Sequence, residues 1–303
     1  MIALDLGSNT LRGVKLDCKT FERVKEFEKI VKTAEGMHER PIIKKETADR
    51  IIKALKEAEK VLNFEKEKII AVATAALRMA ENKKEIIEKI KEETGIEFKI
   101  ISGEEEARLT ALAVEERLKK LNKNEKNFIT ADLGGGSTEI VIKNRKDLLI
   151  KSVNIGIVTF AQKYETVKNI KKNAPKAYEK ELKPFLEKLY KDYEKPTVLT
   201  ATGGTATTIT AFLNDMSYGN YDYEKINGKI LSVEDISKAL HDLLKLDVKE
   251  REKWVGTGRG EFIIAGIYLL ISLIKTCGFS EIVVIDDSLR EGAAIKGCKE
   301  EEF

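Results

Sequence analysis

One short motif occurs twice, and the spacing of its copies constrains the fold more than anything else in the sequence. Asp-Leu-Gly-Ser-Asn-Thr begins at Asp5, and Asp-Leu-Gly-Gly-Gly-Ser-Thr begins at Asp132. Each copy follows a short apolar run (residues 2–6 and 128–133) and precedes another (residues 11–16 and 137–143). That is the pattern of two strands joined by a turn of small residues. A chain of 303 residues suits two domains of ~100–200 residues each. Two such openings therefore predict two related halves.

The remainder of the chain alternates helix and strand patterns. Residues 47–62 carry apolar side chains at helical spacing (Ile51, Ile52, Leu55, Ala58, Leu62). A second helix, with Ile86, Ile87 and Ile90 on one face and Gly95 as its C-cap, lies between strands at 69–73 and 96–101. A helix starts at Ser102 and runs to about Leu121. The polar stretch at 122–127 reads as a hinge. A third strand near 148–153, a lysine-rich helical region at 168–193, a strand at 197–202 with a helix after Gly203-Gly204, a strand at 282–285 and a helix from Ser288 complete the order. Alternation of this kind predicts an α/β architecture.

Composition excludes several classes. Lys and Arg number 54 against 51 Asp and Glu, a balance that argues against a DNA-coating protein while leaving room for a local cationic groove. Cys18, Cys277 and Cys298 are odd in number, far apart and without a C-x-x-C pair, so neither a disulfide scaffold nor a zinc ribbon is expected. His38 and His241 cannot build a multi-histidine metal site alone. The first residues lack a basic region and contain Asp5, unlike a signal peptide. The longest apolar run, residues 262–274, falls short of the ~20 residues needed to span a bilayer and reads as a buried helix. A reduced, cytoplasmic protein without a membrane partner is the expectation.

Chemistry concentrates at the glycine turns. A turn of small residues points backbone N–H groups into one concavity, which suits phosphate oxygens. Gly7, Ser8 and Asn9 form one candidate cradle, and Gly134, Gly135, Gly136 and Ser137 a second. Gly203 and Gly204, ahead of a helix, form a third with the helix dipole behind it. Neither G-x-G-x-x-G nor G-x-x-x-x-G-K-[ST] occurs, which removes the main support for Rossmann and P-loop readings. Asp5 and Asp132 end equivalent strands, where a carboxylate either caps a turn or holds Mg²⁺. Glu139 lies two residues beyond Ser137, so the two side chains face the same way. Ser102 with Glu105 fits a capping box, and Glu104 suits the positive end of that helix. Glu106 shares a face with Leu109 and Ala113, so it is either buried and paired or placed as a general base. Arg78 directly follows a strand, where its fork could clamp a phosphate. Lys168, Lys171, Lys172 and Lys176 form a basic run that is either a solvated face or a track for a polyanion.

Taken together these motifs resemble the exopolyphosphatase/guanosine pentaphosphate phosphatase (Ppx/GppA) family. The resemblance runs over nearly the whole chain, through Asp5 to Arg12, Ala73 to Arg78, Ile101 to Arg108, Asp132 to Glu139, Gly203 to Thr205, Arg259 to Gly266 and Leu289 to Gly292. It implies a two-domain actin-like (ribonuclease H-like) fold with the active site in the interdomain cleft. Domain I would comprise residues 1–121 with 290–303, and domain II residues 122–289. It further implies Glu106 as catalytic base, with Asp132 and Glu139 near the metal or water; Mg²⁺ is the expected cofactor, with Asp5, from its place at a strand end, as a further candidate ligand. The substrate would be polyphosphate or guanosine pentaphosphate, and a homodimer is compatible with the resemblance. Longer members carry a helical region resembling HD hydrolases that is not found here. Where the family often has His-Gly, this sequence has Asn227-Gly228. A small-molecule kinase of the same superfold and a non-catalytic alarmone- or polyphosphate-binding regulator are the alternatives.

Overall fold

The computed structural model describes residues 1–37, 40–123, 127–145 and 147–300. His38 and the middle of the expected hinge, residues 124–126, lie outside the described residues. In chain order the first elements are β1 (Ile2–Leu6), β2 (Thr10–Leu16), β3 (Arg23–Ile30), α1 (Lys45–Leu62), β4 (Ile69–Ala73), α2 (Ala75–Met79), α3 (Lys83–Thr94), β5 (Lys99–Ile100) and α4 (Gly103–Lys120). There follow β6 (Asn127–Leu133), β7 (Thr138–Asn144), β8 (Asp147–Val153), α5 (Ile157–Tyr164), α6 (Val167–Asn173), α7 (Leu182–Asp192), β9 (Val198–Thr202) and α8 (Gly204–Leu213). The last are α9 (Tyr223–Ile226), β10 (Ile230–Ser232), α10 (Val233–Lys245), α11 (Val248–Val255), α12 (Ile263–Thr276), β11 (Glu281–Val284) and α13 (Leu289–Cys298).

The chain divides into two compact units, Met1–Ala113 with Ser288–Phe303, and Val114–Asp287. The division falls inside α4 because the two halves of that helix enter different cores. Leu109 packs with Ala3, Val14, Val72 and Leu289, whereas Val114 and Leu118 pack with Phe128, Val283 and Ile285.

In the first unit the sheet order is β3-β2-β1-β4-β5. β1 runs antiparallel to β2 and parallel to β4, with Leu6 opposite both Leu11 and Ala73. Ile2, Ala3, Leu4 and Leu6 are fully buried, as a central strand covered on both faces requires. Ile51, Leu55 and Leu62 of α1 and Ile86 and Ile90 of α3 cover one face. Ala293, Ala294 and Ile295 of α13 cover the other.

In the second unit the order is β10-β11-β9-β6-β7-β8. Its antiparallel β8-β7-β6 followed by parallel β9 and β11 repeats the β3-β2-β1-β4-β5 arrangement, with β10 added at the outer edge. The duplication seen in two short motifs therefore extends to whole sheets. α12 is apolar nearly all round because it is packed inside this unit, with Ile264, Ile267, Leu270 and Leu273 buried. Among the described residues no helix is long and apolar enough to cross a membrane.

Four sequence expectations need correction. β3 was not anticipated: its burial is mostly exposed along its length because it is an edge strand, so its sequence is charged rather than apolar. The strand expected at 96–101 is reduced to Lys99–Ile100. The helical region at 168–193 breaks after α6, where Pro175 lies in a 3₁₀ turn, Ala174–Lys176; proline has no N–H to continue the helix. Finally, Cys18 and Cys298 form a disulfide across 280 residues of sequence. Docking of α13 on the sheet brings their Cα atoms to 5.2 Å, within bridging range. Cys277 is free and buried.

Candidate active site

Within the second unit, β6 and β9 run parallel and end at the same edge of the sheet, each leading into a glycine turn. Open α/β sheets bind ligands at the carboxyl ends of such strands. After β6, residues 134–137 turn the chain into β7, closed by a hydrogen bond from Gly134 N–H to Ser137 O at 3.0 Å. Asp132 pairs with Glu139 across the hairpin, Glu139 with Ser152, and Asp132 with Thr202 on its other side. Residues directly opposite in a sheet share a face, so these four form one polar row beside the turn.

The Glu139 carboxylate is fixed within this row. Its Oε1 accepts from Ser137 Oγ at 2.6 Å and from Ser152 Oγ at 3.1 Å. Asp132 lies against the bare backbone of Gly203, where a Cβ would stand 2.4 Å from Asp132 Oδ1. Gly203 has φ of +81° and caps α8, so glycine is required both for conformation and for space. The carboxylate thereby sits at the positive end of a helix ten residues long. Beneath the turn, Thr138 Oγ1 donates to Ile155 O at 2.6 Å and meets the Tyr178 hydroxyl at 3.0 Å. Burial raises the pKa of that hydroxyl well above the ordinary tyrosine value.

Gly135 and Gly136 are exposed. A side chain on Gly136 would meet nothing within 4 Å, and one on Gly135 only Val158 at ordinary contact distance. Nothing inside the unit demands glycine at Gly136, and its bare backbone faces open space. The arrangement suits an anion bound by N–H groups.

The first unit repeats the device. Gly7 N–H donates to Thr10 O at 3.0 Å, the same closing bond as in the second turn. Three parallel strands, β1, β4 and β5, deliver site elements at one sheet edge. β1 ends beside Asp5 and the turn with exposed Ser8 and Asn9, β4 leads to Arg78 on α2, and β5 leads to Glu106 on α4. Arg78 Nη1 donates to Ile101 O at 2.8 Å and stands 3.6 Å from Glu106 Oε2. Both side chains are 37% exposed, so Glu106 looks out from an otherwise apolar helix face with an arginine beside it.

The neighbouring acids differ. Glu104 pairs with Arg108 at 2.7 Å, and Glu105 with Lys296 of α13 at 2.7 Å. Ser102 Oγ accepts Glu105 N–H at 3.1 Å, yet the Glu105 carboxylate goes to α13 rather than closing the expected capping box. In the same way, part of the Arg78 fork is committed to Ile101 O rather than wholly to a ligand.

Two residues of the second unit were not assigned a role from sequence. The Arg259 guanidinium lies 3.6 Å from where a side chain on Gly204 would begin; its only sequence signal is membership of the run Arg259 to Gly266. Asn227 Oδ1 accepts Asp286 N–H at 2.8 Å and so anchors the segment after β11. Lys168, Lys171, Lys172 and Lys176 are exposed on α6 and the 3₁₀ turn after it. Among the described residues no three acidic, histidine or cysteine side chains cluster as a metal site.

Comparison with known proteins follows the same lines. The Ppx/GppA phosphatase family matches residues 14–301. A bifunctional 3-dehydroquinate synthase/phosphatase of Fusobacterium nucleatum is 30% identical, over 98% of this chain and 46% of its own length. A guanosine-5'-triphosphate,3'-diphosphate pyrophosphatase of Pseudoalteromonas translucida is 27% identical, over 95% of this chain and 57% of its own. The chain thus spans about half the length of these curated relatives. The crystal structure of the Aquifex aeolicus member of the Ppx/GppA family is 28% identical and superposes with a TM-score of 0.80, covering 100% of this chain and 98% of that one.

Proposed function

The chain belongs to the Ppx/GppA phosphatase family, and on that footing we propose that it is a phosphohydrolase releasing terminal orthophosphate from inorganic polyphosphate, from pppGpp, or from both. The observation that carries this reading is the pair of glycine turns, each closed by the same hydrogen bond and each flanked by an aspartate at a strand end. Each cradle, taken within its own unit, suits a phosphoryl group.

The roles follow from the chemistry of each position. Backbone N–H groups of Ser8 and Asn9, and of Gly135, Gly136 and Ser137, hold phosphoryl oxygens, while the N–H groups of Gly7 and Gly134 are spent closing the turns. Gly203 and Gly204 add the amino end of α8. Glu106 takes a proton from the attacking water, and Arg78 beside it orients the carboxylate and contributes charge toward the phosphate. No covalent intermediate is required.

The donor chemistry suits Mg²⁺. This ion takes hard oxygen ligands and is bound through one or two carboxylates, with waters and phosphate oxygens completing its shell. Asp132 and Glu139, directly opposite each other, supply such a pair, and Asp5 occupies the equivalent strand end of the other sheet. A third clustered acid is not needed. Bound there, Mg²⁺ would neutralise charge on the transferred phosphoryl group. We place the reaction in the cytoplasm, without nucleic-acid or membrane partners.

The test is orthophosphate release from polyphosphate and from pppGpp, with and without Mg²⁺, in isotopically labelled water. Label in the released phosphate is expected. Phosphate appearing on an acceptor instead would establish the kinase alternative, and tight binding without release would establish a regulator.

A further inference from the structure

A glycine turn donates to an anion only if its peptides are rotated so that N–H groups face outward, and the second unit contains the means of that rotation. Immediately after β8 the chain folds back over the turn. Ile157 N–H donates to Gly134 O at 2.9 Å, and Val158 and Thr159 N–H donate to Gly135 O at 2.9 and 3.2 Å. These donors are the first amides of α5, which have no partner inside their own helix. In a trans peptide the C=O and the following N–H point in opposite directions. Capture of Gly134 O and Gly135 O therefore aims the N–H groups of Gly135 and Gly136 away from α5. Among the described residues neither N–H donates to another protein group.

The approach of α5 depends on one residue. Gly156 is buried, with φ of −131° and ψ of 167°, an extended conformation open to any amino acid. Its requirement for glycine is one of contact. A Cβ there would stand 2.4 Å from Gly135 C, Gly135 O and Gly136 C, inside the peptides whose orientation matters. The first unit uses the same principle: Val31 and Lys32 N–H donate to Asn9 O, and Ala34 N–H donates to Ser8 O, at 2.8–2.9 Å. In both units the segment after the third strand holds the turn between the first two by its carbonyls.

We propose that Gly156 is a positioning residue: its bare backbone lets the first amides of α5 hold the Gly134 and Gly135 carbonyls, and this presents the Gly135 and Gly136 N–H groups to phosphoryl oxygens. The inference rests on the phosphohydrolase reading and adds a residue to it. Gly156 touches no substrate; it acts through the turn.

Two variants test it. Gly156→Ala drives a methyl group into the Gly135–Gly136 peptide. Ile157→Pro occupies the first helical position, where proline is well tolerated, and removes the N–H that holds Gly134 O together with the isoleucine side chain. The preceding residue already has the extended backbone that proline favours. Ile157→Ala keeps the N–H while losing the side chain, and so sets the baseline for lost packing.

The readouts are kcat and KM for tripolyphosphate hydrolysis, calorimetric binding of tripolyphosphate, and thermal unfolding. The expected result is a 10- to 100-fold rise in KM and in the dissociation constant for Gly156→Ala. A smaller rise, of at least threefold over Ile157→Ala, is expected for Ile157→Pro. Mere destabilisation would lower the active fraction and leave KM unchanged. Equal KM for Ile157→Pro and Ile157→Ala overturns the proposal even if Gly156→Ala fails to fold. A wild-type protein that binds tripolyphosphate normally while both variants keep its KM overturns the proposal alone. A wild-type protein that neither binds nor hydrolyses tripolyphosphate, long-chain polyphosphate or pppGpp overturns the phosphohydrolase reading, and this one with it; where only one of the other two is turned over, the same KM comparison of the variants is made with that substrate.

Discussion

Replacing Glu106 by Gln separates catalysis from stability, because the structure makes the two effects different in size. The carboxylate stands 3.6 Å from Arg78, a distance at which unit charges attract by about 1 kcal/mol in water. Both side chains are 37% exposed, and exposed pairs deliver ~0–1 kcal/mol once side-chain entropy and screening are included. The amide keeps the shape and helix compatibility, so unfolding free energy should fall by less than about 1 kcal/mol. A general base contributes roughly 10²–10⁴ in rate, or about 2.7–5.4 kcal/mol of barrier. The assay is orthophosphate release at saturating substrate, with thermal unfolding on the same samples. The expected outcome is a kcat lower by two to four decades, a KM changed little and a melting transition nearly in place. Glu105→Gln, whose carboxylate pairs with Lys296 at 2.7 Å, serves as the comparison. Equal rate losses at the two positions would refute the assignment of Glu106, as would a loss that tracks unfolding.

Other outcomes follow from the same geometry. Asp132→Asn should raise the Mg²⁺ concentration needed for half-maximal rate, since one of the two opposed carboxylates is lost; a metal titration checks this. Neutralising Lys168, Lys171, Lys172 and Lys176, all exposed, should weaken long-chain polyphosphate binding and flatten its salt dependence, while pppGpp hydrolysis barely changes. Equal effects on both substrates would exclude an extended track. Burial pushes the Cys277 thiol up to about 12. Because the folded value lies above the unfolded value of ~8.5, stability should be unaffected below that pH and decline as pH rises from there toward 12. Cys277→Ala should lessen the decline, measured as denaturant midpoint against pH.

How much of this was legible in the sequence depends on where each residue gets its information. Asp5 and Asp132 were readable because turn chemistry is local, and the duplicated strands around them carry buried apolar side chains at most positions. β3 was not, because a strand at a sheet edge needs no apolar alternation and Arg23–Ile30 is dominated by Arg, Lys and Glu. The Cys18–Cys298 bond was hidden by 280 residues of separation; only the docking of α13 makes neighbours of the two sulfurs. Gly156 gave no signal either. Its backbone is ordinary, and the contact that excludes a side chain is with peptides 20 residues earlier. The capping box that the sequence offers at Ser102 and Glu105 forms by half: Ser102 Oγ accepts Glu105 N–H, but the carboxylate goes to Lys296, 191 residues away in sequence.

The insertion of one unit within the other has a consequence for the nascent chain. β1 to β5 leave the ribosome early, yet one face of their sheet is covered by α13, which follows the whole of Val114–Asp287. At ~5–20 residues per second, synthesis of that intervening segment takes on the order of 10–35 s. Throughout this interval Ala3, Val14, Leu16 and Val72 face water or a chaperone, whereas the inserted unit has its complete sequence in hand before α13 emerges. The later-encoded unit is therefore the first able to finish folding, and the pace at which Val114–Asp287 is translated sets how long the earlier one stays open to aggregation.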